Sequence, residues 1–299
     1  MDSRVFHQIT ASLPAYLEWL VIDVAGQQRR LADVLDPWQR QDFAALDPGL
    51  RSVVGLPADG NALQRAYLER PRGHSKTQDI AVVASWALVA SRRPIIIVVA
   101  AADAEQASLL RDAVVRLEAG QPALGELLDV GKWVIKNKAT GSELRIISSD
   151  ASSSYGLLPD LVVADELCHW PDSGEYLWHS LLSAAAKKPT CMLVVISNAG
   201  LGMGTAWQWN VREAARTSPD WYFHRLDGPQ ASWVSVKRLE ELRRMLPPTV
   251  YDRLINNCWQ TDAGDAFDSA AIDRAISTML RSWSANRSTT CLAWAWIWA

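Results

Sequence analysis

The sequence predicts a three-layer α/β sandwich, a mostly parallel sheet with helices on both faces. Three observations predict it. Between Gln64 and Leu226, short apolar runs typical of doubly buried strands alternate with helical patterns. Pro94 and Gly120 break the chain where it must turn between such elements. A composition of 49% hydrophobic and 21% charged residues over 299 positions is enough to bury a sizeable core, which excludes wholesale disorder and small disulfide scaffolds.

The elements follow in order. Residues 1–60 read as helices joined by Pro- and Asp-rich turns. Ala66–Leu68 is the first core strand; it enters a Gly-containing loop and then a helix over Thr77–Ser91. Ile95–Ala101 reads as a central strand, followed by a helix from Ala104 to about Glu118 that Asp103 caps. Lys132–Lys136 and Glu143–Ser149 flank the turn-rich Asn137-Lys138-Ala139-Thr140-Gly141, so an antiparallel hairpin is expected. Leu161–Ala164 and Met192–Ser197 complete the core strands, with a helix over Glu175–Ala186 between them and another over Thr205–Arg216 after them. Val236–Leu280 gives two or three amphipathic helices broken at Pro247-Pro248 and at the turn Thr261–Gly264. The organisation is therefore an N-terminal helical segment (1–60), a core (61–226), a helical subdomain (227–283) and an anomalous tail (284–299) in which Trp294, Trp296 and Trp298 alternate with small or apolar residues.

A formal charge of −3 leaves no global basic field, so any contact with nucleic acid is local. Lys132, Lys136 and Lys138 lie on or beside the hairpin, where they could touch DNA phosphates, although a solvated charged face is the first explanation. Cys168, Cys191, Cys258 and Cys291 show no C-x-x-C spacing, which argues against a zinc ribbon, a redox motif or a secreted disulfide framework. His169 and His179 have no second Cys or His at ligand spacing and read as surface or partly buried residues. The N-terminus lacks a basic segment followed by an apolar one, and no apolar run approaches the ~20 residues of a bilayer span, so a cytoplasmic protein without a membrane segment is expected.

The chemistry sits at three strand ends. In the first, the loop Arg70-Pro71-Arg72-Gly73-His74-Ser75-Lys76-Thr77 joins a strand to a helix. Backbone N–H groups at a helix start surround an anion, Lys76 supplies a cation for the β- and γ-phosphates, and Thr77 offers a hydroxyl to Mg²⁺. Arg70, Gly73, His74 and Ser75 complete the expected nucleotide contacts. In G-x-x-x-x-G-K-[ST], the Walker A pattern, the two glycines would stand at Arg70 and Ser75. The second strand end, Asp160–Glu166, carries two adjacent carboxylates in the manner of a Walker B strand: Asp165 is assigned to hydrated Mg²⁺ and Glu166 to the attacking water. The third, Leu193–Gly200, ends in Ser197 and Asn198, placed to sense the γ-phosphate or its water.

The order of Leu35-Asp36-Pro37-Trp38-Gln39, PRGHSKT (71–77), AADAEQASLL (101–110), DLVVADE (160–166) and SNAG (197–200) resembles the ATPase half of the large terminase subunit, the DNA-packaging motor of tailed bacteriophages, over roughly residues 30–280. The resemblance implies ATP and Mg²⁺ as ligands, a P-loop fold, and a degenerate phosphate loop of this kind. It further implies that Gln39 reads adenine, that Arg72 acts on the γ-phosphate, and that Asn198 couples hydrolysis to domain motion. Double-stranded DNA, a portal protein and a small terminase subunit are its implied partners, a homo-oligomeric ring its implied assembly, and the host cytoplasm its implied location, encoded by a phage or prophage. The family continues into a nuclease domain built on clustered carboxylates. After Asp273 this sequence holds no Asp or Glu, so a two-metal nuclease site cannot be assembled from residues 274–299 and no DNA cleavage is expected. The tail reads as a chain that ends early, for example after a frameshift, or alternatively as an aromatic partner-binding segment.

Two rival readings differ in class. Gly73–Thr77 also resembles part of a nucleophile elbow, and Ser75, Asp165 and His224 would form a Ser–Asp–His order, although no oxyanion segment is visible. A prophage remnant that folds without moving DNA is the non-enzymatic reading.

Overall fold

The computed structural model describes residues 2–58, 62–148 and 158–261. Two short helices, α1 (Ser3–Ala11) and α2 (Leu13–Trp19), open the chain, each capped by the preceding side chain: Asp2 accepts from the Arg4 amide and Ser12 from the Ala15 amide. A hairpin of β1 (Val21–Val24) and β2 (Gln27–Arg30) follows, turned through Ala25 and Gly26 at φ 54° and 82°. The all-helical reading of residues 1–60 is corrected here. β2 is exposed along its whole length and shows none of the apolar alternation from which strands are read. After α3 (Leu31–Val34), helix α4 (Pro37–Val54) begins where the Gln39 side chain reaches back to accept the Asp36 amide at 3.1 Å, and ends at Gly55.

The main sheet starts with β3 (Arg65–Glu69). The elements α5 (Lys76–Ala90), β4 (Ile96–Ala101), α6 (Ala104–Gly120), α7 (Ala123–Leu127), β5 (Leu128–Val130), β6 (Val134–Asn137), β7 (Glu143–Ser148), β8 (Leu161–Asp165), α8 (Gly174–Ala185), β9 (Met192–Ser197), α9 (Trp207–Thr217) and β10 (Tyr222–Arg225) follow. Two further helices, α10 (Val236–Met245) and α11 (Pro248–Leu254), lie on either side of the Pro247-Pro248 break, with Pro248 opening α11. The strand order is β10-β3-β9-β8-β4-β7-β6-β5; the first six are parallel and the β7-β6-β5 edge is antiparallel, which contains the expected hairpin.

Period-two alternation along the central strands divides the core in two. Ala66, Leu68, Ile97, Val99, Val163, Val194 and Ile196 face α4, α5 and α6, whereas Tyr67, Val98, Ala100, Val162, Ala164, Leu193 and Val195 face α8 and α9. Helix α5 is enclosed. All its residues except Thr77 and Gln78 are buried, so it shows no amphipathic stripe, and the polar groups of Ser85 and Trp86 find partners: Tyr16 donates to Ser85 Oγ at 2.9 Å and Trp86 Nε1 donates to the Ile9 carbonyl at 3.0 Å. Each large side chain buried there contributes roughly 1.5–3 kcal/mol, and together they fix the helix that begins at the phosphate loop.

Because β3, β9 and β8 are parallel neighbours, their carboxyl ends share one edge. β9 lies between the other two, so Ser197 and Asn198 stand between the Arg70–Thr77 loop and Asp165. The described residues belong to one unit, Met1–Thr261. The expected turn at Thr261–Gly264, the helix toward Leu280 and the Trp-rich tail fall outside the described residues. Among those described, no helix is long and apolar enough to cross a membrane.

Candidate active site

The loop after β3 turns at Gly73 (φ 80°) and reaches α5 through Ser75, whose φ of 53° is left-handed. Glycine adopts that conformation without cost; Ser75 is held in it by donating its hydroxyl to Asp79 Oδ1 at 2.9 Å. Lys76 is buried. Its Nζ donates to the carbonyls of Arg70 (3.3 Å) and Pro71 (3.2 Å) and lies 3.2 Å from Glu166 Oε1, so the loop cation and the second carboxylate already face each other. A cavity of about 480 Å³ is lined by residues Arg72 through Gln78, Glu166 and Trp233. Trp233 closes over the loop, its Nε1 donating to the Gly73 carbonyl at 3.0 Å.

Asp165 ends β8 fully buried. Burial, then the neighbouring Glu166 charge, pushes its carboxyl up to about 7, and its Oδ1 has no hydrogen-bond partner. Glu166 follows at φ 50°, another left-handed non-glycine residue, with its N–H donated to the Ile196 carbonyl of β9 and its Oε2 unpartnered. Strain and unsatisfied carboxylate oxygens coincide at this strand end. A second cavity of about 470 Å³ brings Arg72, Thr77, Asp165, Glu166, His169, Asn198 and Arg253 to one space. Asn198 is held by its neighbours: Cys168 Sγ lies 3.4 Å from its Oδ1, and its Nδ2 donates to the Ala199 carbonyl. His169 has company that the spacing argument overlooked, since ligand atoms of Glu166, Cys168 and His169 lie within 4.8 Å of one another. Burial pushes the Cys168 thiol up to about 12 and so keeps it protonated.

Two expected nucleotide contacts turn away from the cavities. Arg70 does not face phosphate. Its guanidinium is almost wholly buried, pairs with Asp42 Oδ2 at 2.7 Å and Asp79 Oδ2 at 2.6 Å, and lies 4.7 Å from the Trp38 ring centroid. A buried arginine needs such partners, and these two carboxylates claim it. Gln39 is buried too; besides the Asp36 amide it donates to Asp79 Oδ1 at 3.0 Å, so both ends of its amide are engaged within the protein. His74 is likewise structural in its contacts: Nε2 accepts the amides of Gln230 and Ala231 and Nδ1 lies 3.1 Å from the Arg72 carbonyl. Arg72, two residues from Arg70, is exposed and makes no side-chain hydrogen bond or ion pair among the described residues.

The Ser–Asp–His arrangement is absent. Ser75 bonds Asp79, His224 Nδ1 lies 2.6 Å from Asp42 Oδ1, and Asp165 ends a different strand. Residues that sequence reasoning missed are those supplied from a distance: Asp42 and Trp233 carry no local signal. Asp79 had one, as the only acidic residue of a helix that is apolar over most of its length, four positions after Ser75.

Comparison with solved structures identifies the fold. The chain is similar to the large terminase of bacteriophage HK97 at 20% identity and TM-score 0.66, over 84% of this chain and 54% of that one. It is similar to the large terminase ATPase domain of Thermus phage P74-26 at 16% identity and TM-score 0.53, over 69% and 95% of the two chains. A third likeness, at 14% identity and TM-score 0.54 over 71% and 53%, is to the large terminase of a thermophilic bacteriophage in complex with ADP, a protein also solved with ATP-gamma-S. The chain thus spans about half the length of the HK97 protein. It has the fold of these ATPase domains, the P-loop sandwich expected from its sequence. No protein-family model and no curated protein matches it.

Proposed function

We propose that this chain hydrolyses ATP as the ATPase part of a DNA-packaging motor of the large-terminase type. The observation that carries the reading is the convergence of Lys76, Thr77, Asp165, Glu166 and Asn198 at three adjacent strand ends around open cavities. The α5 N-terminus offers backbone N–H groups to phosphate, and Lys76 adds its charge. Thr77 and Asp165 would hold Mg²⁺; a buried carboxylate oxygen without a protein partner, beside a hydroxyl lining the same cavity, fits a hard cation. Bound Mg²⁺ would neutralise charge on the β- and γ-phosphates.

Lys76 Nζ meets the loop carbonyls and Glu166. ATP draws Lys76 onto phosphate, which frees Glu166 to accept a proton from the attacking water. Asn198, packed against the turn that follows Glu166, registers the γ-phosphate side of the site. Gln39 acts one step back, fixing Asp79 and through it Ser75 and Arg70. Duplex DNA, a portal protein, a small subunit and a ring of copies in the host cytoplasm, the partners and setting that the sequence resemblance implies, complete the reading.

Calorimetry and turnover on the full chain test it. Lys76→Ala abolishes ATP binding, and Glu166→Gln retains binding but slows hydrolysis by at least ~10²-fold. Unchanged affinity in the first variant overturns the phosphate-loop assignment; binding without turnover in the wild-type chain leaves a nucleotide-binding scaffold.

A further inference from the structure

Resting on that ATPase reading, we infer that Arg253 is a second catalytic arginine, which contacts the γ-phosphate from α11. It stands in the last turn of α11 and lines the cavity that also holds Arg72, Thr77, Asp165, Glu166 and Asn198. An arginine in the last turn of a helix ordinarily serves that helix's free carbonyls. Arg253 does not: among the described residues its guanidinium has no hydrogen bond and no ion pair. Burial lowers the pKa of His169, which lines the same cavity; Glu166 opposes that shift and the nearby Arg253 charge adds to it. A half-buried guanidinium without a partner, sharing a cavity with two carboxylates and a phosphate loop, is arranged for an anion that arrives with the ligand.

The segment carrying Arg253 is fastened to the machinery it would serve. The Arg72 amide donates to the Leu254 carbonyl at 2.9 Å, joining the phosphate loop directly to the end of α11. Three residues on, buried Asn257 ties three strand ends together: its Nδ2 donates to the carbonyls of Glu69 (3.1 Å) and Leu226 (3.0 Å), and its Oδ1 accepts the Ala199 amide at 2.8 Å. Trp259 completes the clasp by donating Nε1 to Glu69 Oε2 at 3.0 Å, where Arg212 also pairs at 2.6 Å. Arg253 is therefore held at a set distance from Asn198 and the loop, the preorganisation that transition-state stabilisation requires.

The full chain with Arg253→Ala, Arg253→Lys or Arg244→Ala tests the assignment, Arg244 being an exposed arginine of α10 outside the site. Arg253→Ala lowers turnover by at least ~10²-fold and abolishes binding of ADP with aluminium fluoride, while ADP alone binds within about twofold of wild type and confirms that the variant folds. Arg253→Lys restores less than about a tenth of the activity if both guanidinium edges are used. Arg244→Ala stays at the wild-type rate. Turnover near wild type in Arg253→Ala, beside a dead Lys76→Ala, overturns the role of Arg253 alone; equal weakening of ADP and of the fluoride complex reduces it to a ground-state contact and also overturns the role. A wild-type chain that binds neither ATP-gamma-S nor ADP overturns the ATPase reading and this inference with it.

Discussion

Arg70 and Arg72 stand two residues apart in the same loop and live in different physical worlds. Arg70 is sealed between Asp42 and Asp79 under the Trp38 ring, and further groups close the same cluster: Tyr222 donates to Asp42 at 2.9 Å, and Gln39 and Ser75 donate to Asp79. On the cavity side the accounting is left open. Among the described residues the Arg72 and Arg253 side chains have no hydrogen bond or ion pair, and Asp165 Oδ1 and Glu166 Oε2 accept nothing. The difference teaches that charge alone does not locate a site. Charges paired with buried partners hold the loop in shape, and charges that line an open cavity are placed to meet a ligand.

Substitutions on either side of that divide sharpen or break the comparison. Arg70→Ala strands two buried carboxylates and is expected to cost about 3–5 kcal/mol, measured by urea unfolding; stability within about 1 kcal/mol of wild type would show that the cluster is not structural. Arg72→Ala leaves stability unchanged and depresses turnover by ~10²–10³-fold, far more than ATP affinity. Equal loss in both quantities would make Arg72 a ground-state phosphate contact.

Asp165 contributes an effect of opposite sign. Its folded pKa lies near 7 against an ordinary 3.8, so the folded state holds a proton that the unfolded state releases. Stability is therefore lost as pH rises from about 4 to about 7, and the full penalty applies above that window. Asp165→Asn removes the penalty: without nucleotide, this variant melts several degrees above wild type near pH 8 and together with it near pH 4. A lower midpoint near pH 8 would mean that Asp165 is paired rather than frustrated. The smallest change belongs to Ser75→Gly, which relieves a positive φ worth ~1 kcal/mol and deletes a hydrogen bond worth about as much. Stability and turnover stay near wild type, and loss of activity would restore a chemical role to the hydroxyl.

Much of this organisation is legible in the sequence because it is local. The strand–loop–helix around Lys76, the acidic end of Leu161–Asp165 and the break before α11 each announce themselves within a few residues. The Asp103 cap, which accepts the Gln106 amide at 2.8 Å, does so too. What escapes is long-range pairing. The arginine signal at the loop is ambiguous until Asp42, from α4, is seen to claim one guanidinium. Gln39 reads as a base contact until its amide is found spent on Asp36 and Asp79. The hairpin β1–β2 is invisible because exposed strands need no apolar alternation, and Asn257 is silent because its worth lies in three carbonyl and amide partners from distant strands.

Helix α5 buries all but two of its residues, while α10 buries none. In amide hydrogen exchange these are the two ends of a scale: α5 opens only when the whole unit unfolds, and α10 opens at a small fraction of that free energy. On the proposed reading, a nucleotide at the α5 N-terminus would push against an element that yields little. Displacement would fall to α10, so mechanical compliance in this protein follows burial.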